Sequence, residues 1–408
     1  MSATIKHIDI KGVQIPVIFE EQKALPILNL QLVFQNSGYI QDKNKSGLVS
    51  LSSKLLNEGT NELGATKFAQ KLEENAISLA TSNGFETFVI ELSNLKEQSK
   101  KGIELLTALL KSPNYTQDTL NKLKTMQTGS LKRKENDFDY VANNQLKSVL
   151  FKGTTLENSA AGTIESISKI ELKDIENFIS QTVCLENLII VAGGDFELKE
   201  FEKLVKPLLE TLNVGKKAQL EEVNFISKKE EKVLIKDTQQ AYIYFGSSFN
   251  INSKDEENYK AKVASFILGG SGFGSRLMEE IRVKRGLAYS AYGSISINKS
   301  HSYFNGYLQT KNETADEAKK LVGEIIEDFV KNGVTNDELS AAKNFLTGSE
   351  PLRSETLSQR LNRAFTLYYR GLEPNYSQKE LEKIQNLELT DLNNYIKSHN
   401  EINNLTFS

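Results

Sequence analysis

Apolar and polar residues alternate along His7–Phe19 and Ile27–Phe34, and again along Lys232–Ile235 and Ala241–Phe245. A period of two sends successive side chains to opposite faces, so these stretches are predicted as half-buried strands. In Gln98–Leu110 and Ala315–Val330 the apolar residues instead fall three and four apart. That spacing lays one apolar stripe along a helix, suited to covering a sheet. Strands followed by long helices, twice over, predict an α+β fold of helices packed on a mainly antiparallel sheet.

The doubling extends to individual residues. Thr116, Asp118, Leu120, Lys124, Thr128, Gly129 and Ser130 recur, at one constant offset and without a gap, as Thr335, Asp337, Leu339, Lys343, Thr347, Gly348 and Ser349. Glu171, Leu172, Asp174, Asn177 and Ile179 recur at a slightly shorter offset as Glu388, Leu389, Asp391, Asn394 and Ile396. Lys152-Gly153 answers Arg370-Gly371. A repeat of this kind fixes the architecture as two homologous domains of roughly 200 residues. The polar, glycine-containing segment Asn213–Asn224 (NVGKKAQLEEVN) lies at the seam. The expected organisation is an N-terminal α+β domain over 1–212, a linker over 213–224 and a homologous C-terminal domain over 225–408.

Composition narrows the possible functions. The chain has 408 residues, 39% of them hydrophobic and 25% charged, which suits a folded soluble protein too long for one core. Fifty Lys and Arg against 53 Asp and Glu leave a net charge of −3, and no basic excess draws it to nucleic acid or acidic lipid. The single cysteine, Cys184, allows no internal disulfide and reads as a small buried hydrophobe. The opening MSATIKH lacks the apolar run of a signal peptide, and no stretch approaches the roughly 18 apolar residues of a membrane span. The expected location is the cytoplasm, or the periplasm if a leader precedes the sequence.

Two stretches carry candidate chemistry. Gly47–Thr60, GLVSLSSKLLNEGT, follows the Ser37-Gly38 turn and reads as an amphipathic helix with Ser50, Ser53 and Lys54 on its polar face. A Ser50–Lys54 catalytic dyad would need a desolvated lysine, of which the sequence gives no sign. The helical stretch Thr116–Leu131 has one carboxylate, Asp118, near its start, and the histidines His7, His301 and His399 never stand at ligand spacing. The second stretch is Ile281–Ser290, IRVKRGLAYS, preceded by the glycine-rich Leu268–Ser275 (LGGSGFGS) and the helical Arg276–Glu280. Arg282 and Tyr289 stand seven apart within it, with Arg285-Gly286 suited to a tight turn between them. Taken alone, the pair reads as an exposed arginine and a core tyrosine at a helix-to-strand junction. Gly269, Gly270, Gly272 and Gly274 follow a helical pattern, Asn258–Ile267, whereas a dinucleotide-binding loop follows a strand, so nucleotide binding is rejected.

Both stretches resemble the insulinase-type zinc peptidases. In that family the helix matching Gly47–Thr60 carries an inverted zinc motif, H-x-x-E-H, in which two histidines bind the metal and the glutamate activates water. The matching positions are Ser50, Ser53 and Lys54, and the family's third ligand, a glutamate of the helix matching Thr116–Leu131, has no counterpart. The resemblance therefore implies no metal and no cofactor in this chain, with zinc expected in a partner. It also implies that Arg282 and Tyr289 bind substrate, the arginine on a peptide carbonyl and the tyrosine on a developing oxyanion. The glycine-rich loop would control the access of peptides to an enclosed chamber, or be a plain turn. The family further binds peptide as an added strand on an edge of the N-terminal domain.

The resemblance covers nearly the whole chain, from the opening strands through Leu188–Asp195 (LIIVAGGD) to the second repeat. The function it implies is that of a noncatalytic, substrate-binding subunit of a heterodimeric zinc endopeptidase acting on peptides or unfolded segments, paired with a homologous zinc-bearing subunit. A non-proteolytic scaffold or peptide-holding protein of the same fold is the alternative. An autonomous zinc peptidase is the third.

Overall fold

A computed structural model describes residues 3–408. The first half forms strands β1 (Thr4–Ile10), β2 (Val13–Glu21), β3 (Ile27–Gln35), β4 (Ser78–Asn83), β5 (Thr87–Leu95) and β6 (Leu188–Gly194). Its helices are α1 (Leu48–Leu56), α2 (Gly64–Glu73), α3 (Ser99–Lys111), α4 (Gln117–Lys134), α5 (Phe138–Leu150), α6 (Ile164–Lys169), α7 (Leu172–Thr182) and α8 (Leu198–Leu209). The second half forms β7 (Gln240–Ser248), β8 (Ala288–Ile297), β9 (Ser302–Lys311) and β10 (Thr406–Phe407). With them go α9 (Asn258–Ser265), α10 (Ala315–Asn332), α11 (Asn336–Gly348), α12 (Leu357–Arg370), α13 (Tyr376–Gln385) and α14 (Leu389–Ser398).

The two sheets share one plan. The first runs β1-β2-β6-β3-β5-β4 and the second β10-β7-β9-β8, so β10 stands for β6, β7 for β3, β9 for β5 and β8 for β4. Every named pair is antiparallel except β2 with β6. Residues repeated in the sequence do the same work in both halves. Thr116 and Thr335 accept the main-chain N–H three residues on, at the starts of α4 and α11, each at 3.2 Å. Such caps satisfy donors that the first helical turn leaves without partners. Gly153 and Gly371 follow α5 and α12 with φ of 82° and 71°, the left-handed conformation that ends a helix at no steric cost to glycine.

The fold is thus α+β, as its hydrophobic pattern predicts, with three local differences. His7–Phe19 is a hairpin rather than one strand, turning at Lys11 and Gly12, whose φ values of 54° and 80° fit a two-residue turn. Lys232–Ile235 forms no strand despite its alternation. Glu231 bridges Phe407, but Val233 and Ile235 beyond it are 68% and 90% exposed. The alternating pattern specifies a strand only where a partner strand runs alongside. The glycine-rich stretch is only partly a loop, because Gly269 and Gly270 belong to a wide helical turn, Phe266–Gly270, that prolongs α9.

The chain divides into two compact units that are not contiguous in sequence. Unit 1 runs from the N-terminal strands to Arg133, then takes Asn158–Glu221 and Arg353–Tyr369; unit 2 comprises Lys134–Glu157, Glu222–Leu352 and Arg370–Ser408. The expected boundaries over 1–212 and 225–408 describe the duplication, whereas the packing units exchange α5 and most of α12. The reason is burial. In unit 1, one face of the sheet packs Val17, Leu30, Leu32, Phe88 and Ile190 against α1, α3, α4, α7 and α8. On the other face Ile18, Val33, Ile189 and Val191 would be bare but for Leu357 and Leu361 of α12. In unit 2, α5 packs on β7, and the Tyr244 hydroxyl donates to Asp139 at 3.1 Å.

Candidate functional site

Helix α1 starts from a buried carboxylate. Asp42, 6% exposed, accepts the main-chain N–H groups of Gly47 and Val49, each at 2.9 Å. Desolvation pushes its carboxyl up to about 7 even though those two donors pull it down. One turn along, Ser53 is buried and its hydroxyl donates to the Ser50 carbonyl at 3.4 Å. Lys54 reaches across to α4, where its ammonium donates to the Gln127 side-chain carbonyl. Gln127, 3% exposed, uses its amide nitrogen to donate to the Ala161 carbonyl at 2.8 Å.

The α4 residue opposite α1 is therefore Gln127, which the sequence reading had not singled out. The signal was present: Leu120, Leu123 and Leu131 form the buried stripe of α4, and Gln127 is a polar residue within it, midway between Leu123 and Leu131. Asp118 is exposed at the other end of the helix. A neutral amide, two hydroxyls and an ammonium do not make a zinc site, and the Lys54 ammonium would repel a cation brought beside it. Among the described residues no three His, Cys, Asp or Glu side chains cluster in a way that could hold a metal. The histidines are apart. His7 is exposed on β1, His301 stacks in unit 2 on Tyr303, and His399 pairs with Glu401 at 2.8 Å.

The second candidate lies wholly in unit 2. Arg276 begins a helical segment whose later part, Met278–Val283, is a wide π turn. The chain then turns at Gly286, φ 63°, into β8. The basic residues here have unequal surroundings. Arg276 pairs with Glu338 at 2.5 Å and Asp328 at 3.3 Å, while Lys284 and Arg285 both bind Glu280 at 2.6 Å. Hydrogen bonds from Lys284 and then Arg285 hold the Glu280 carboxyl below the usual carboxylate range. The Arg282 side chain has no hydrogen bond or ion pair among the described residues. Its guanidinium instead lies over two rings, those of Phe273 and Tyr289, with each centroid 4.8 Å away.

Phe273 and Tyr289 are 67% and 78% exposed, so Tyr289 is not the core residue that the junction alone suggested. Two rings can fix the plane of a guanidinium while leaving its five donors at the edge for a ligand. Phe273 was not foreseen, though an aromatic residue between Gly272 and Gly274 has no core to serve. Those glycines, at φ 69° and 91°, form the turn that presents it. Gly269 has a different job. A Cβ there would lie 2.4 Å from the main-chain nitrogen of Gly293 in β8, so the helix end can approach the strand only as glycine. Cys184 is fully buried, as expected of a small hydrophobe.

Comparison with known proteins places the chain. Residues 169–346 match the family described as the peptidase M16 inactive domain. The non-peptidase homolog YmxG of Helicobacter pylori is 45% identical over 407 residues, spanning 100% of this chain and 94% of that protein. The chain belongs to the M16, or insulinase-type, peptidase family. Within the family, similarity to the uncharacterized zinc protease YmxG of Bacillus subtilis is 21% identity over 75% of this chain and 74% of that protein. The fold is also that of solved family structures. A peptidase M16 inactive domain from Pseudomonas fluorescens superposes with a TM-score of 0.91 at 23% identity, covering 99% of this chain and 97% of that one. A protease from Helicobacter pylori gives 0.86 at 18% identity, over 100% and 99%. Among the described residues no helix is long and apolar enough to cross a membrane.

Proposed function

We propose that this chain is a noncatalytic, substrate-binding subunit that works with a homologous zinc-bearing subunit in a heterodimeric endopeptidase acting on peptides or unfolded segments. The observation that carries the reading is Arg282. It is the basic residue of its segment left without a carboxylate, and its guanidinium lies over two exposed rings, one of them the phenol of Tyr289. That arrangement suits a peptide carbonyl and the oxyanion it becomes on attack, with no metal supplied locally. The Lys54–Gln127 hydrogen bond supports the same division of labour, since the position that the resemblance matches to a zinc ligand carries the chain's own cation. The name of the Helicobacter pylori relative, a non-peptidase homolog, agrees with it.

The test is reconstitution. Alone, the purified chain is expected to retain no stoichiometric zinc by metal analysis and to leave a quenched fluorescent peptide intact. Mixed with a zinc-bearing homologue from the same cell, it should restore cleavage, and Arg282→Ala should lower that kcat/KM by about 100-fold, in the range of a lost oxyanion donor. Tyr289→Phe should have a similar effect. Full activity with both variants would sink the assignment and leave the fold as a scaffold.

A further inference from the structure

The polar face of α1 ends on a residue with a second attachment. Ser50, Lys54 and Asn57 stand four and three apart, in one line along α1 and its C-terminal cap. From the cap, the Asn57 side chain reaches β4, which packs beside α1. The Thr81 main-chain N–H donates to Asn57 Oδ1 at 2.7 Å, and Asn57 Nδ2 donates to the Thr81 carbonyl at 2.9 Å. One acceptor and one donor are what a residue of an antiparallel neighbour strand would exchange with Thr81. The carboxamide stands where such a residue would stand.

Thr81 belongs to an edge. β4 ends the first sheet, with β5 on its inner side. Because both main-chain groups of Thr81 point away from β5, the antiparallel alternation turns those of Leu79 and Asn83 the same way, about 7 Å to either side. An exposed edge is a template for pairing with another chain, and proteins guard it with charge, proline or a bulge. β1, at the opposite end of the sheet, carries Lys6 and Asp9, both exposed. β4 reads SLATSN, with no charge and no proline, and its register against β5 runs unbroken from Ser78 to Asn83. Its exposed side chains, Ser78, Ala80 and Ser82, are too small to obstruct a neighbour. What guards this edge is Asn57, which is itself exposed and can turn its amide to water.

We infer that Asn57 is a built-in competitor for the β4 edge, closing it to the extended main chain of a peptide until its carboxamide is displaced. The competition is reciprocal: a peptide gains all three rungs only from the fraction of molecules in which Asn57 has swung out. A peptide fits this edge better than a second copy of the chain, because pairing β4 with β4 would displace two carboxamides and a peptide displaces one. Main-chain bonds read no particular side chain, which suits peptides and unfolded segments, and this choice of occupant rests on the function proposed above. Asn57 lies in unit 1, whereas Arg282 belongs to unit 2.

The probe is a fluorescein-labelled heptapeptide of alternating threonine and valine, uncharged and prone to extend. By fluorescence anisotropy, Asn57→Ala should bind it about tenfold more tightly than the native chain, the effect of losing a closed form that outweighs the open one about tenfold. The peptide N-methylated at alternate residues lacks strand donors and should gain nothing from the substitution. Hydrogen exchange on the native chain gives a second reading that needs no variant: the Thr81 amide should be protected relative to those of Leu79 and Asn83. Equal affinity of the native and Asn57→Ala chains would overturn the inference, as would an equal gain for the N-methylated peptide. So would a native Thr81 amide that exchanges as fast as its two neighbours on the edge. Sedimentation showing that Asn57→Ala dimerises instead of binding the peptide would overturn the choice of occupant. No zinc-bearing subunit enters these measurements, so a reconstituted pair that fails to cleave and an edge that fails to open are separate results.

Discussion

Lys54 and Gln127 are joined by a hydrogen bond that ties α1 to α4. Lys54→Ala would strand the carbonyl of a glutamine that is 3% exposed, and should lower unfolding free energy by about 1–3 kcal/mol in a urea titration. Two other residues give the protein opposing responses to pH. Asp42, pushed up to about 7 by burial, keeps its proton in the fold where the unfolded chain releases it near pH 4, so its contribution falls as pH rises through that interval. Asp42→Asn should therefore remove about 2–3 kcal/mol of the stability lost between pH 5 and 7.5. His301 acts in the other direction. Burial, with help from the nearby Lys147 charge, pushes its ring down to about 4, so the unfolded chain protonates first and stability falls as pH drops from about 6.5. His301→Phe keeps the edge contact with Phe151 and the stacking on Tyr303 and should flatten that acid limb by about 2 kcal/mol, again read by urea titration. Ser50, Ser53 and Lys54 were visible in the sequence because a motif marks their place. Gln127 takes its meaning from Lys54, 73 residues away, and the polar break in its stripe does not name that partner.

Among the elements, α12 has the most to do for its length. It covers the outer face of the first sheet, and its Arg360 binds Glu20 of β2 at 2.7 and 2.8 Å, where Glu20 is 4% exposed. Replacing Arg360 with alanine leaves that carboxylate buried and unpaired, and should cost about 3–5 kcal/mol, measured as a shift in the urea midpoint. The helix was legible in outline only. Its apolar positions match the 3.6-residue period, yet nothing local says which sheet they cover. Lys232–Ile235 shows the converse, since its period is that of a strand and its exposure that of an unpaired segment. Gly269 was singled out in a loop, whereas the structure uses it as the contact between the helix end and Gly293 of β8. Gly269→Ala should destabilise unit 2 sharply, while Gly274→Ala, with nothing within 4 Å of its Cβ, should show only the backbone strain of its positive φ.

For the whole molecule the consequence of exchanged helices is that neither half of the chain is self-sufficient. A fragment ending at Glu221 lacks Arg353–Tyr369, and so bares Ile18, Val33, Ile189 and Val191. It should aggregate when expressed alone and recover a cooperative melt when co-expressed with residues 222–408. The sequence by itself determined the duplication, the α+β character of each repeat, the family and the absence of metal-binding side chains from the inverted motif. All of these depend on residue identity and local period, which a linear chain carries in full. Only tertiary structure decided that α5 and α12 change units, that Lys54 meets Gln127 and that Arg282 lies over the rings of Phe273 and Tyr289. Each of those depends on which surfaces are brought together, and burial and pairing are properties of the partners rather than of either segment alone.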